Sequence, residues 1–117
     1  EVTKGSVIYD LYCGTGTLGI CAAKNAKMVV GIEVSPESAL DAKANAVLNG
    51  IENITILSGA VRHILKQIKD DPNIPKPDLV VVDPPRPGLE PEALEGLISL
   101  GADRILYLSC NPETLAN

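Results

Sequence analysis

Residues 106–110, Leu-Tyr-Leu-Ser-Cys, form an apolar run that ends on a thiol, and Asn111 and Pro112 follow at once. Asn-Pro breaks regular structure, so Cys110 is expected at the tip of a strand, within reach of solvent and ligands. A thiol there can pack as a small hydrophobe or react as a nucleophile. One reaction calls for it. Carbon 5 of uracil is too weak a nucleophile to take up a methyl group directly. A thiolate adding at carbon 6 turns the ring into an enolate, whose carbon 5 can then attack a sulfonium. A base removes the carbon 5 proton, and the thiolate leaves. Such a scheme needs Cys110 on the same rim as a sulfonium-binding loop. Cys13, inside a tight loop, and Cys21, on the apolar face of a helix, suit the packed role instead.

Gly14-Thr15-Gly16-Thr17-Leu18-Gly19 fits G-x-G-x-x-G between a strand and a helix, and Glu33 follows about 20 residues after the first glycine. The glycines permit a tight turn and close approach of a ligand, and the carboxylate can take two ribose hydroxyls. A dinucleotide site has these features. Asp10, at the mouth of the same loop, points the other way. A pyrophosphate there would meet a like charge, whereas S-adenosyl-L-methionine brings a sulfonium and an ammonium and no phosphate. The competing structural role for Asp10 is to tie loop amides together, and for Glu33 to supply a helix-entry charge.

Asp83 precedes Pro84-Pro85-Arg86-Pro87-Gly88. Proline cannot donate to a ladder, so the strand must end at Asp83, and the stiff prolines hold its carboxylate at a rim. The alternative is a capping acid in a rigid turn. Methyltransferases that act on adenine amino groups carry an aromatic after a related Asp/Asn-Pro-Pro. Arg86 stands there instead, which speaks against transfer to an exocyclic nitrogen.

The elements that must position these residues alternate. Strands are expected over 6–12, 29–33, 53–57, 78–82 and 104–108, and helices over 17–26, 36–48, 61–69 and 91–100. Ser35-Pro36 is a helix start and Asn49-Gly50 a helix stop. Val61, Ile64, Leu65 and Ile68 share one helical face. Short apolar strands alternating with helices predict an α/β fold: a mostly parallel sheet of about five strands with helices on both faces. Ligands bind such sheets outside the carboxyl ends of the strands. Asp10 to Gly14, Glu33, Asp83 and Cys110 all fall at those ends.

With 117 residues, 45% of them hydrophobic, one domain over 1–117 with its own core is expected. The three cysteines are odd in number and lack C-x-x-C spacing, which argues against disulfides or a zinc site and for a reducing, cytoplasmic compartment. No apolar stretch approaches a bilayer span. Net charge is −5, and no basic stripe or stacking Phe or Trp is present, so any grip on nucleic acid must come mainly from elsewhere. Both ends look cut, which suggests a piece of a longer protein. His63 is expected on the surface.

The motifs DLYCGTGTLG, GIE, VVVDPPRPGL and LYLSCNPETLA, in that order, resemble the TrmA/RumA class of S-adenosylmethionine-dependent RNA (uracil-5-)methyltransferases. The resemblance runs along essentially the whole chain. Its specific part is the DPPRxG and SCNPxT pair. It implies a Rossmann-like class I methyltransferase fold and S-adenosyl-L-methionine as cofactor; some members carry an iron–sulfur cluster, but no such cysteine cluster occurs in this sequence and no metal is expected. It makes Cys110 the nucleophile and sets Tyr12, Gly14, Gly16 and Thr17 around the cofactor loop. Glu33 becomes the ribose acid, and Asp83 the acid beside cofactor and base. Ala60 stands where the family often has a polar contact to adenine. The partner implied is tRNA or ribosomal RNA, held mainly by segments outside this chain, as is the general base. Neither DNA nor membrane is expected as a partner. An NAD(P)-dependent oxidoreductase and a catalytically inert methyltransferase-like scaffold are the alternatives.

Overall fold

The computed structural model describes residues 5–14, 16–83 and 91–107. Nine elements alternate: β1 (Val7–Leu11), α1 (Thr17–Ala23), β2 (Met28–Glu33), α2 (Pro36–Leu48), β3 (Ile54–Ser58), α3 (Val61–Lys69), β4 (Leu79–Val82), α4 (Pro91–Ser99) and β5 (Arg104–Tyr107). They build one five-stranded sheet of order β3-β2-β1-β4-β5, with every pair parallel. The predicted α/β architecture is therefore present. Among the described residues no helix is long and apolar enough to cross a membrane.

Period-two alternation sorts the strand residues between two helical layers. Val7, Tyr9, Leu11, Val30, Ile32, Val80 and Val82 pack with Val61, Ile64, Leu65 and Ile68 of α3 and with Ala93 and Leu97 of α4. On the opposite face Ile8, Val29 and Val81 meet Ala23 of α1. Ile56 there meets Ala39 and Ala42 of α2. The small residues of α1 and α2 let these helices lie close to the sheet. Gly19 shows how close: a Cβ on it would sit 3.3 Å from Ile54 Cδ1 and 3.4 Å from Val29 Cγ1.

Local signals set most boundaries. Ser35 Oγ accepts from Ser38 N–H at 3.3 Å, and Pro36 fills the first turn of α2. α1 ends at Ala23, short of the expected residue 26. Its chain tightens there through Asn25 N–H to Ala22 O and Ala26 N–H to Ala23 O, three-residue bonds typical of a helix end. The Asn53 side-chain amide, arriving just before β3, donates to Ala23 O at 2.8 Å and to Ala26 O at 2.9 Å. A residue distant in sequence thus closes α1. Asn53→Ala removes both bonds and leaves Ala23 O with only its long bond from Ala26 N–H, so we expect a loss of about 1–2 kcal/mol, read as a lower urea midpoint with an unchanged slope.

The order β3-β2-β1-β4-β5 places the chain reversal between β1 and β4. The winding runs outward from β1 through β2 to β3, then returns to the other side of β1. Crevices form at such switch points, outside the carboxyl ends of the strands.

Candidate active site

The register brings three carboxylates to one edge. Asp10 on β1 stands opposite Gly31 on β2 and Val81 on β4. Glu33 and Asp83 lie two residues beyond those partners. The two-residue period therefore sets Asp10, Glu33 and Asp83 on the same face of three adjacent strands, at their carboxyl ends. The face is the one covered by α1 and α2.

The loop after β1 is wound tightly. Tyr12, Gly14 and Gly16 have φ of 61°, 57° and 83°. For Tyr12 the left-handed region costs about 1 kcal/mol, and such outliers concentrate at ligand sites. Tyr12 N–H and Cys13 N–H both donate to Ile32 O, at 2.7 and 3.1 Å, and Gly16 N–H closes the turn on Cys13 O at 2.9 Å. Gly16 also abuts α2. A Cβ there would stand 3.0 Å from Ala42 Cβ, so both space and backbone demand glycine. Thr17 opens α1.

Glu33 fastens this loop to the start of α2. Its Oε1 accepts from Gly14 N–H at 2.8 Å and its Oε2 from Ser35 N–H at 2.7 Å. Each oxygen keeps further acceptor capacity, so the residue can brace the loop and still receive ribose hydroxyls. Neither backbone partner is visible in a motif; the bond to Gly14 exists only because β1 and β2 are neighbours.

Asp10 is only 3% exposed, and its Oδ2 is fully buried with no hydrogen-bond partner among the described residues. Rather than standing open at the loop mouth, it lies beneath it, and Gly19 is so near that a Cβ there would be 3.1 Å from Oδ2. Burial, and then the charge of Asp83, push its carboxyl up to about 7; Glu33 adds to the rise, and the Gly19 backbone N–H opposes it. Asp83 itself begins just past β4, where its N–H donates to Leu11 O at 3.4 Å.

The cysteines divide by position. Cys13 is half-buried, and its thiol is pushed up to about 12 by burial and by the charges of Asp10 and Glu33. Both effects favour the protonated thiol over the nucleophilic thiolate. Cys21 corrects an expectation: it is exposed rather than packed. The α1 face toward the sheet is taken by Gly19, Ile20 and Ala23, which leaves Cys21 on the solvent side. Cys110 lies outside the described residues, as do residues 84–90. Ala60 is the N-cap residue of α3 and gives no side-chain cap. His63 is exposed, as expected. Among the described residues no His, Cys, Asp and Glu group could hold a metal ion.

A parallel sheet of this order, with a glycine turn after its central strand and an acid ending the next, is a Rossmann-like α/β arrangement, consistent with a class I methyltransferase fold. Solved structures share it. The tRNA (uracil-54, C5)-methyltransferase of Pyrococcus abyssi, in complex with S-adenosyl-L-homocysteine, superposes with a TM-score of 0.77 at 32% identity, over 98% of this chain and 27% of that one. Precorrin-8w decarboxylase from Methanobacterium thermoautotrophicum gives 0.78 at 26% identity, over 97% of this chain and 59% of that one. The sequence profile described as tRNA (Uracil-5-)-methyltransferase matches residues 1–117, and the chain belongs to that family. Among curated relatives, an uncharacterized RNA methyltransferase of Protochlamydia amoebophila is 50% identical over 114 residues, 97% of this chain and 26% of that protein. Another, from Caldanaerobacter subterraneus, is 50% identical over 113 residues, 97% of this chain and 24% of that protein. The chain thus spans about a quarter of the length of the curated relatives it matches.

Proposed function

We propose that the protein transfers a methyl group from S-adenosyl-L-methionine to carbon 5 of a uridine in tRNA or ribosomal RNA, through a covalent Cys110 adduct at carbon 6. In this reading residues 1–117 are the cofactor-binding part of a longer protein's catalytic domain. The observation that carries it is the family match along the whole chain, on a fold whose loop and three edge carboxylates suit a cationic nucleoside. The similar Pyrococcus abyssi structure holds S-adenosyl-L-homocysteine, which supports the same ligand class here.

The described residues fit that ligand. The left-handed turn at Tyr12, Gly14 and Gly16 shapes a cradle after the central strand. Glu33 has lone pairs left for ribose hydroxyls, and Asp10 and Asp83 supply negative charge beside it. Thr17 stands at the start of α1, next to this turn. The ligand supplies an electrophilic methyl group on a sulfonium. Cys110 adds to carbon 6 of uracil, which makes carbon 5 nucleophilic. After methylation a base takes the carbon 5 proton, and the thiolate departs. Asp83 orients the base or cofactor amine at the rim. RNA binds mainly through segments outside this chain, in keeping with the net charge of −5.

A tritium-release assay tests the reading. The intact protein, S-adenosylmethionine and RNA carrying uridine tritiated at carbon 5 should yield 5-methyluridine and one tritium per methyl group. Methylation without tritium release would place the methyl elsewhere and overturn it. Stabilisation by NADH but not by S-adenosylhomocysteine in a thermal-shift comparison would favour the oxidoreductase alternative.

A further inference from the structure

We propose that Asp10 is a charge-sensing residue, which holds a proton while the site is empty and releases it to solvent when a cationic ligand enters. The proposal rests on the cofactor reading above, but its basis is a feature that reading leaves unexplained. A carboxyl lies on the central strand with its Oδ2 buried and, among the described residues, without a hydrogen-bond partner. An ionised carboxylate so placed is costly, and the group either finds a cation or keeps its proton.

Among the described residues the surroundings offer no internal cation. From β4 Asp10 faces Asp83, from β2 Glu33 and from its own loop the Cys13 thiol. From α1 it meets the Gly19 backbone N–H, while Cys21 and Lys24 of that region are exposed. Charge on Asp10 is therefore opposed on two flanks and favoured by one peptide group. The carboxyl, pushed up to about 7, sits close to neutral pH. Positive charge arriving at the adjoining edge reverses the balance, and the proton goes to solvent. When the sulfonium becomes a thioether after methyl transfer, the site loses one positive charge and Asp10 takes a proton back from solvent. Proton exchange then favours the charged donor over the spent thioether.

The sign of the pH dependence follows from linkage. A carboxyl raised from 3.8 to about 7 in the folded state contributes stability fully present below about pH 4 and lost as pH rises through about 7. Binding of a cation runs oppositely: it requires the ionised form, and it weakens as pH falls below about 7.

Calorimetry on the intact protein, in paired buffers of different ionisation enthalpy, tests this with S-adenosylmethionine and S-adenosylhomocysteine. S-adenosylmethionine should bind about tenfold more weakly at pH 6 than at pH 8 and release protons near pH 6, with a shallower slope for S-adenosylhomocysteine. Asp10→Asn should flatten the slope for S-adenosylmethionine whatever its effect on affinity. Asp83→Asn, which removes a flanking charge, should move the wild-type step to lower pH. Without ligand, the melting temperature of wild type relative to Asp10→Asn should fall by roughly 5 °C from pH 6 to pH 8. Equal pH slopes for the two ligands, or an Asp10→Asn protein that keeps the wild-type slope, would overturn the proposal alone. Failure of both ligands to bind at every pH would overturn it together with the cofactor reading.

Discussion

Cys110→Ala should lose methyl transfer to uridine by on the order of 10⁴-fold or more, while S-adenosylmethionine binds with unchanged affinity. The split between the two readouts is the informative part. Without the thiolate, carbon 5 of uracil stays a poor nucleophile, and neither positioning nor electrostatics replaces the missing bond. In the proposed reading the cofactor cradle is built from the β1 loop, Glu33 and Asp83, and the thiol acts on the uracil ring. The two cysteines among the described residues are poorly suited to take over. Cys13 lies beside the cradle but is kept protonated by burial and by Asp10 and Glu33. Cys21 faces solvent on α1. A denaturation-resistant protein–RNA adduct should form with 5-fluorouridine RNA in the wild type and be absent in the variant. Residual methylation within tenfold of wild type would remove the covalent route.

Glu33→Ala should weaken cofactor binding by about a hundredfold or more, the largest effect of any single change within the described part of the site. The size combines the lost ribose acceptor with a loosened loop, since two bonds that shape the loop are also lost. The carboxylate accepts from Gly14 N–H and from Ser35 N–H, at 2.8 and 2.7 Å. Charge-assisted bonds of this kind contribute about 1.5–3 kcal/mol each to the order of the loop, and a lost charge-assisted bond to the ribose of about 2.7 kcal/mol is a hundredfold in affinity. Alanine leaves both N–H groups without their acceptor and unties the glycine turn from the start of α2. Glu33→Gln retains one side-chain acceptor and should fall between the two. Calorimetry with S-adenosylhomocysteine reads the series, and thermal unfolding of the free protein separates loosened fold from lost contact. Binding within threefold of wild type in Glu33→Ala would show that the brace and the ribose contact are both dispensable.

The kind and order of the elements were legible in the residue pattern. Runs such as Leu79-Val80-Val81-Val82 and Val29-Val30 are apolar on both faces and suit only buried strands, while Val61, Ile64, Leu65 and Ile68 repeat at a helical interval. Ser35-Pro36 marked the start of α2 to the residue, because its cap is formed within four consecutive residues. The motifs likewise singled out Asp10, Glu33, Asp83 and Cys110 before any neighbour was known. Boundaries set from afar were missed. α1 stops at Ala23 because Asn53, carried in on the approach to β3, meets its carbonyls.

Which of those residues share surroundings, and with what protonation, emerged only from the packing of the strands. Periodicity tells which face of its strand a residue takes, not which strand lies alongside. Once β1 stands between β2 and β4, Asp10, Glu33 and Asp83 fall on one face at one edge. The same packing buries Asp10 and raises its carboxyl toward neutrality, and it turns Cys21 outward because Gly19 and Ala23 fill the sheet-facing side of α1. Electrostatic interactions depend on distance and solvent access through space, so charge coupling among residues far apart in sequence arises only when the strands are paired.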